Sequence, residues 1–269
     1  FAGVTIMKAP EKLAVLGGEP IRKKDKPWPK WPYVDDKVVD SVVKTTRSGI
    51  WCRIDSSSNR VSVFEKEYAK LLGTKYCQAT GSGTQSLHTC VEVLGIGGGD
   101  EIITSPLTDP GTISSILTSR ALPVMADVNL ETQQIDPDDI ERRITENTKA
   151  IMPVHWGGQS CDMDRIMAIA KKHNLRVIED SCQAMLGEYK RKKLGTIGDF
   201  GTFSFQTSKT MSCGEGGAII GNDEALMDKC YTFQNHGTNR KGFTEVGGPK
   251  YRMNEFMAAV LLGQIEGVK

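Results

Sequence analysis

The sequence is poor in the residues that build metal centres and disulfide frameworks. Its 269 residues hold only four histidines, none at zinc-ligand spacing from a cysteine, so no structural metal is expected. Seven cysteines (52, 77, 90, 161, 182, 213 and 230) form no CxxC pair. Odd in number and scattered through apolar segments, they read as reduced thiols, which favours a reducing, cytoplasmic compartment. No apolar run approaches the roughly 20 residues that a membrane helix needs, so no membrane partner is expected. Neither sign of charge dominates, and a net charge of +1 gives no electrostatic basis for binding nucleic acid. What remains is an ordinary globular composition, 39% hydrophobic and 25% charged, long enough for one large α/β domain.

Both ends carry unusual stretches. The chain opens at Phe1 rather than methionine, and the mildly apolar Phe1 to Leu16 leaves room for the remnant of an export signal. Residues 1–32 contain five prolines and the run PWPKWP, which holds neither ladder nor helix and reads as an N-terminal arm whose Trp28 and Trp31 suit docking. The final YRMNEFMAAVLLGQIEGVK begins an amphipathic helix and stops without a cap, as a truncated segment would.

Between these ends the pattern is regular. Helices are expected from Tyr33 to Thr46 and from Val61 to Leu72, separated by the polar loop SGIWCRIDSSSNR, from which Trp51 and Arg53 could reach a ligand. Short β-rich runs then alternate with helices: 76–79 and 84–94, 101–104 and 112–119, 123–128 and 137–144, 150–154 and 162–173, then 176–179. Two more runs, 201–205 and 217–221, precede a helix over 223–235. Asp136-Pro137 and Asp162 are helix-start signals. This alternation predicts an α/β fold, a three-layer α/β/α sandwich around a mostly parallel sheet of about seven strands. In such sheets ligands lie beyond the carboxyl ends of the strands.

Three strand ends carry chemistry. After the first comes Gly81-Ser82-Gly83-Thr84-Gln85, a glycine-rich turn opening a helix and a candidate phosphate or carboxylate site; a plain turn is the simpler reading. The fifth ends in Glu179-Asp180, which places a carboxylate at the ligand-facing edge or merely caps a helix. The run FSF leads into Ser204, Gln206, Ser208 and Lys209, and a desolvated lysine there would supply a free amine. His155, in PVHWGG, could touch a ligand or serve structure equally well, whereas Glu215 reads as part of the turn behind Lys209 and His88 as packing. A phosphate cradle, a carboxylate and a lysine at neighbouring strand ends are the fittings for pyridoxal 5'-phosphate. A carboxylate about 4 Å from the ring nitrogen, at an effective dielectric near 20, stabilises the protonated ring by roughly 4 kcal/mol.

The blocks GSGTQSLHTCVEVLGIGGGDEIITSPLT, PVMADVNLETQQIDPDDIERRITENTKAIMPVHWGG, VIEDSCQAMLGEYKRKKLGTIGDFGTFSFQTSKTMSCGEGGAII and YRMNEFMAAVLLGQI, in this order, resemble the DegT/StrS sugar aminotransferase family. Its members are pyridoxal-phosphate enzymes of the aspartate aminotransferase fold type. The resemblance runs from about Leu13 to the last residue, and the FSFQxxK and MNEF variants are most similar to the aminohydroxybenzoate synthase and inosose aminotransferase branch. It implies that residues 33–269 form the cofactor-binding large domain, with the family's smaller C-terminal domain missing. It also implies that Lys209 is the Schiff-base lysine, that Asp180 pairs with the pyridinium nitrogen and that Gln183 lies by the ring hydroxyl. Ser204 and the Gly83-Thr84-Gln85 turn match phosphate-holding positions. A homodimer with a shared site is implied, Arg252 and Asn254 falling where partner-subunit residues complete it. The implied reaction moves an amino group from glutamate or glutamine to a keto-sugar or keto-cyclitol.

Two departures stand out. Asp109 occupies the slot of an aromatic residue that stacks on the cofactor ring, and Lys250 stands where many members have asparagine. Deoxysugar dehydratase relatives carry histidine in place of Lys209, which argues against that reaction. A non-catalytic, cofactor-binding or regulatory relative is the other alternative.

Overall fold

The computed structural model describes residues 12–55 and 59–268. The Phe1–Leu16 expectation therefore falls largely outside the described residues, as do three serines of the polar loop before the second helix. The chain divides into two compact units, Phe1–Tyr33 and Val34–Lys269. In the first, Ala14–Leu16 is a single 3-10 turn and the Arg22 guanidinium lies 4.1 Å over the Trp28 ring.

The second unit contains α1 (Asp36–Ser48), α2 (Arg60–Leu72), β1 (Tyr76–Thr80), α3 (Gly83–Val93), β2 (Glu101–Thr104), α4 (Pro110–Thr118), β3 (Leu122–Met125), α5 (Pro137–Arg143) and β4 (Thr148–Met152). These are followed by α6 (Met163–His173), β5 (Arg176–Asp180), β6 (Glu188–Tyr189), β7 (Lys192–Lys193), β8 (Phe200–Ser204), β9 (Gly217–Gly221), α7 (Glu224–Gln234) and α8 (Glu255–Gly267). Side-chain caps set the helix starts. Asn59 accepts from Ser62 N at 2.8 Å, and Asp162 accepts from Arg165 N at 3.3 Å; each satisfies an orphan donor of the first turn. Gly73 at φ 78° and Asn174 at φ 54° end α2 and α6 in the left-handed region, where these residue types cost least.

Seven strands form one sheet in the order β1-β9-β8-β5-β4-β2-β3. β8, β5, β4, β2 and β3 run parallel, while β9 is antiparallel to both its neighbours, β1 and β8. Alternate residues of each strand enter different cores. Ile102, Ala150, Met152, Ile178, Phe200 and Ile219 face one side with residues of α3, α4 and α7. On the other side Phe203, Ala218 and Ile220 pack with α2 and α8, and Ile103, Ile151 and Val177 pack with α5 and α6. The result is the expected three-layer arrangement with helices on both faces.

A buried carboxylate ties the α2–α8 layer together. Glu255, the first residue of α8 and 1% exposed, accepts from the backbone amides of Arg60 and Val61 at the start of α2. Glu255→Ala leaves both amides unpaired and is expected to cost about 1–3 kcal/mol, read from urea denaturation. Burial pushes this carboxyl above its ordinary value, so the unfolded chain gives up its proton first. The stability from this group is therefore full at low pH and declines as pH rises through its folded pKa. Relative to Glu255→Gln, the wild type should lose stability as pH rises through the acid range.

Candidate active site

β1 and β8 are both antiparallel to β9 and thus parallel to each other, so β1, β5 and β8 finish at the same sheet edge. A cavity of about 390 Å³ opens there, within the roughly 300–1,000 Å³ typical of small-molecule sites. The turn after β1 contributes Ser82, Gly83 and Thr84; the segment after β5 contributes Asp180, Cys182 and Gln183; and that after β8 contributes Ser204, Gln206, Ser208 and Lys209. The start of α4, beyond β2, adds Asp109, Gly111 and Thr112, and Glu215 precedes β9.

The turn after β1 is shaped by close backbone approach. Ser82 caps α3, accepting from Gln85 N at 3.2 Å, so the first amides of α3, Gly83 and Thr84, border the cavity without intrahelical partners. A Cβ on Gly83 would lie 2.8 Å from Ser204 Cβ and 3.0 Å from Cys182 Sγ. A Cβ on Gly217 would lie 2.3 Å from Ser82 O. Glycine at both places lets the turn seat against the ends of β8 and β9, aiming a helix N-terminus at the cavity.

Lys209 lies on a loop closed by the sheet. Phe205 N donates to Gly216 O at 2.8 Å, Cys213 N to Phe205 O at 3.0 Å and Lys209 N to Gln206 O at 2.9 Å. The Gln206 side chain accepts from both Ser208 N and Ser208 Oγ. Half-buried, Lys209 has no ion-pair partner among the described residues. Cys182 is the competing nucleophile in the cavity, but burial, with Asp180 beside it, pushes its thiol well up. The thiol is therefore neutral at pH 7 and a poor nucleophile. Burial also pushes Cys161 up to about 12, so both thiols should resist iodoacetamide at pH 7.5 in the native protein and react after denaturation, as read by peptide mass.

The Glu179-Asp180 pair divides its labour. Asp180, 4% exposed, accepts from Cys182 N at 3.1 Å and from Thr112 Oγ1 at 2.7 Å. Glu179 is fully buried and turns away from the cavity. It accepts from Gly195, Ile197 and Gly198 amides at 2.9, 2.7 and 2.7 Å. It also pairs with His155 Nε2 at 3.0 Å. His155 Nδ1 accepts from Cys161 N, so in the neutral ring the proton sits on Nε2 and is donated to Glu179. His155 is thus a structural clasp. The Gln183 side chain accepts from Gly157 N at 3.0 Å, and its amide NH2 has no partner among the described residues.

Several other sequence candidates lie apart from the cavity. Gln85 does not line it; its Oε1 is buried beside Gly81. Arg252 donates to Asn235 Oδ1 at 3.0 Å, and Asn254 caps α8 by accepting from Met257 N. Arg53 is buried in a two-pronged ion pair with Glu65 at 2.8 and 2.9 Å, Trp51 packs on Phe256, and Lys250 is exposed. Asp109 does line the cavity, as the N-cap of α4 accepting from Gly111 N at 2.8 Å. Among the cavity residues, Gly111, Thr112 and Cys182 went unread as site residues in the sequence, and Glu215 was read there only as part of a turn.

Comparison with known proteins gives this arrangement a lineage. The profile of the DegT/DnrJ/EryC1/StrS aminotransferase family matches residues 32–269. The chain belongs to this family. It is 40% identical to the spore coat polysaccharide biosynthesis protein SpsC of Bacillus subtilis, over 86% of this chain and 61% of that protein. It is 38% identical to a putative L-glutamine:3-amino-2,3-dideoxy-scyllo-inosose aminotransferase of Micromonospora echinospora, over 95% of this chain and 62% of that one. The chain thus spans about three fifths of these relatives. Among solved structures, 3-amino-5-hydroxybenzoic acid synthase superposes with a TM-score of 0.86 at 31% identity, covering 89% of this chain and 63% of that one. A putative sugar aminotransferase from Streptococcus pneumoniae, in its PLP form, gives 0.80 at 28% identity, covering 88% and 65%. Both kinds of enzyme in the branch named from sequence motifs are represented in these likenesses. Among the described residues, no helix is long and apolar enough to cross a membrane, and no three or more His, Cys, Asp or Glu side chains cluster as metal ligands.

Proposed function

We propose that the chain is the cofactor-binding part of a pyridoxal-phosphate-dependent aminotransferase that moves an amino group from glutamate or glutamine to a keto-sugar or keto-cyclitol. The observation that carries this reading is the convergence of Lys209, buried Asp180 and the free amides of α3 on one cavity. Their chemistry fits the cofactor point by point. The amides of Gly83 and Thr84, with the hydroxyls of Ser82, Thr84 and Ser204, suit its phosphate; the Asp180 carboxylate suits its ring nitrogen, and the free NH2 of Gln183 suits its ring hydroxyl. When bound, pyridoxal phosphate supplies an electron sink that makes the Cα–H bond of an amino acid acidic. With the group bound, Asp180 would hold the proton on the ring nitrogen, and the Lys209 amine would accept the proton from Cα. Asp109 at the cavity lip leaves the ring without an aromatic cover from its own position.

Residues 33–269 would be the large domain and residues 1–32 an arm, in a cytoplasmic homodimer where Arg252 and Asn254 serve the partner's cavity. This fits the absence of both residues from their own chain's cavity. The activities of its relatives, an inosose aminotransferase and a sugar aminotransferase among them, support the acceptor class.

The test is to incubate full-length protein with pyridoxal phosphate, reduce with borohydride and map the added mass. Attachment at Lys209 is expected; attachment elsewhere, or none, overturns the reading. In a separate, unreduced sample of the loaded protein, adding glutamate or glutamine should release the lysine and change the visible spectrum, whereas a non-catalytic binder would leave it unchanged.

A further inference from the structure

The Asp180 carboxylate is held from two sides, and only one of its holders belongs to its own loop. Cys182 N donates to Oδ1 at 3.1 Å. Oδ2 accepts from Thr112 Oγ1 at 2.7 Å, a side chain supplied by α4 and 1% exposed. Thr112 Oγ1 also lies 2.7 Å from Thr108 Oγ1. A hydroxyl has one proton to give, and an ionised carboxylate can only accept. Thr112 must therefore spend its proton on Asp180, so Thr108 must donate to Thr112. With Asp180 ionised, the direction runs Thr108 to Thr112 to Asp180. Each donation polarises the next, strengthening the bond that ends on the carboxylate.

The start of α4 is built to keep Thr112 in place. Asp109 caps the helix through Gly111 N, and Thr112 N donates to Asp109 O at 3.1 Å. Pro110 at the first helical position presets the turn. A Cβ on Gly111 would come within 2.5 Å of Thr84 Oγ1, so this turn packs directly on the start of α3.

We propose that Thr112 is a positioning residue for Asp180 and that Thr108 orients its hydroxyl, the pair fixing the carboxylate plane that meets the cofactor's ring nitrogen. Asp109, in the slot expected to stack on the ring, instead anchors the helical turn that carries this relay. The proposal rests on the cofactor reading above, and the two can fail separately.

The experiment measures pyridoxal phosphate affinity of the full chain by absorbance titration for wild type, Thr112→Val, Thr112→Ser and Thr108→Val, with thermal midpoints of the cofactor-free proteins alongside. Loss of a hydrogen bond to a charged group predicts roughly tenfold to a hundredfold weaker binding for Thr112→Val. Thr112→Ser, which keeps the hydroxyl, should bind within about threefold of wild type. Thr108→Val should fall between them. The pH at which the bound cofactor's visible band changes should move in Thr112→Val and stay at the wild-type value in Thr112→Ser. If Thr112→Val binds like wild type, or if Val and Ser weaken binding equally, the relay is overturned while the cofactor reading stands. If wild type itself takes no cofactor on Lys209, both fall. A fall in thermal midpoint for Thr112→Val with unchanged affinity and spectrum assigns Thr112 to folding alone and also overturns the proposal.

Discussion

Lys209→Ala should lower the rate of the half-reaction with glutamate or glutamine by at least about 10²- to 10⁴-fold, the span that one positioned proton-transfer group contributes. It should also abolish the borohydride-stable attachment. Among the described residues Lys209 is the only amine lining the cavity, and Cys182, kept neutral by burial, cannot replace it. The backbone bonds from Phe205 to Gly216 that shape the loop do not involve the lysine side chain. Truncation should therefore leave fold and thermal midpoint nearly unchanged. Cofactor affinity should fall less than rate, since Asp180 and the turn before α3 remain. A variant that still converts glutamate in a single-turnover absorbance experiment would remove Lys209 from the chemistry.

Gly217→Ala should be more damaging than alanine at either glycine that lines the cavity, Gly83 or Gly111, although residue 217 does not line it. A Cβ there would meet Ser82 O at 2.3 Å, Ser82 C at 2.4 Å and Gly83 N at 2.7 Å. These are backbone atoms, so no side chain can swing aside. β9 is fixed by ladders to β1 and β8, so the turn before α3 must move. The expected cost is about 1–3 kcal/mol of stability, with cofactor affinity falling about tenfold for each 1.4 kcal/mol by which the phosphate contacts are distorted. Gly98→Ala, with nothing within 4 Å of its Cβ, is the control. Urea denaturation and cofactor titration of the pair test this, and equal behaviour would show that the turn tolerates the side chain.

Much of this architecture is legible in the chain. Apolar runs bounded by turns mark 101–104 and 217–221 as the strands found there. The first helix starts at Asp36 rather than Tyr33 because Asp35 caps it through Val38 N, a local signal that outranks periodicity. α4 starts at Pro110 rather than Thr112 for the same reason that α5 starts at Pro137: an Asp-Pro cap, read at 136 and overlooked at 109. β3 ends at Met125 rather than Val128, which makes only an isolated bridge to Ile135. Strand direction is less legible, since the alternation in GAIIG is the same either way. The short connection from β8 to β9, with no helix in it, is the sign of a reversal.

For the site, the rule that ligands lie beyond strand ends gathers Gly83, Thr84, Asp180, Gln183, Ser204 and Lys209 from sequence alone. It fails where partners depend on packing. Nothing in the one-dimensional pattern says that Glu179 turns inward to three amides and His155 while Asp180 turns outward. Nothing there says that the Thr112 hydroxyl meets the Asp180 carboxylate.

The antiparallel β9 also governs when the site can exist. Tyr76 pairs with Gly221 and Thr80 with Gly217, so β1 must wait for most of the chain before it has a neighbour. Pairings this distant in sequence make folding slow, because loop closure precedes the contacts that reward it. As the chain emerges from the ribosome, β1 and the turn after it are made early and stay unsupported. The same late strand that completes the sheet presses Gly217 onto Ser82 and closes the loop bearing Lys209. Competence to take up the cofactor thus arrives in one step with the closing of the sheet, and no earlier folding state should hold it.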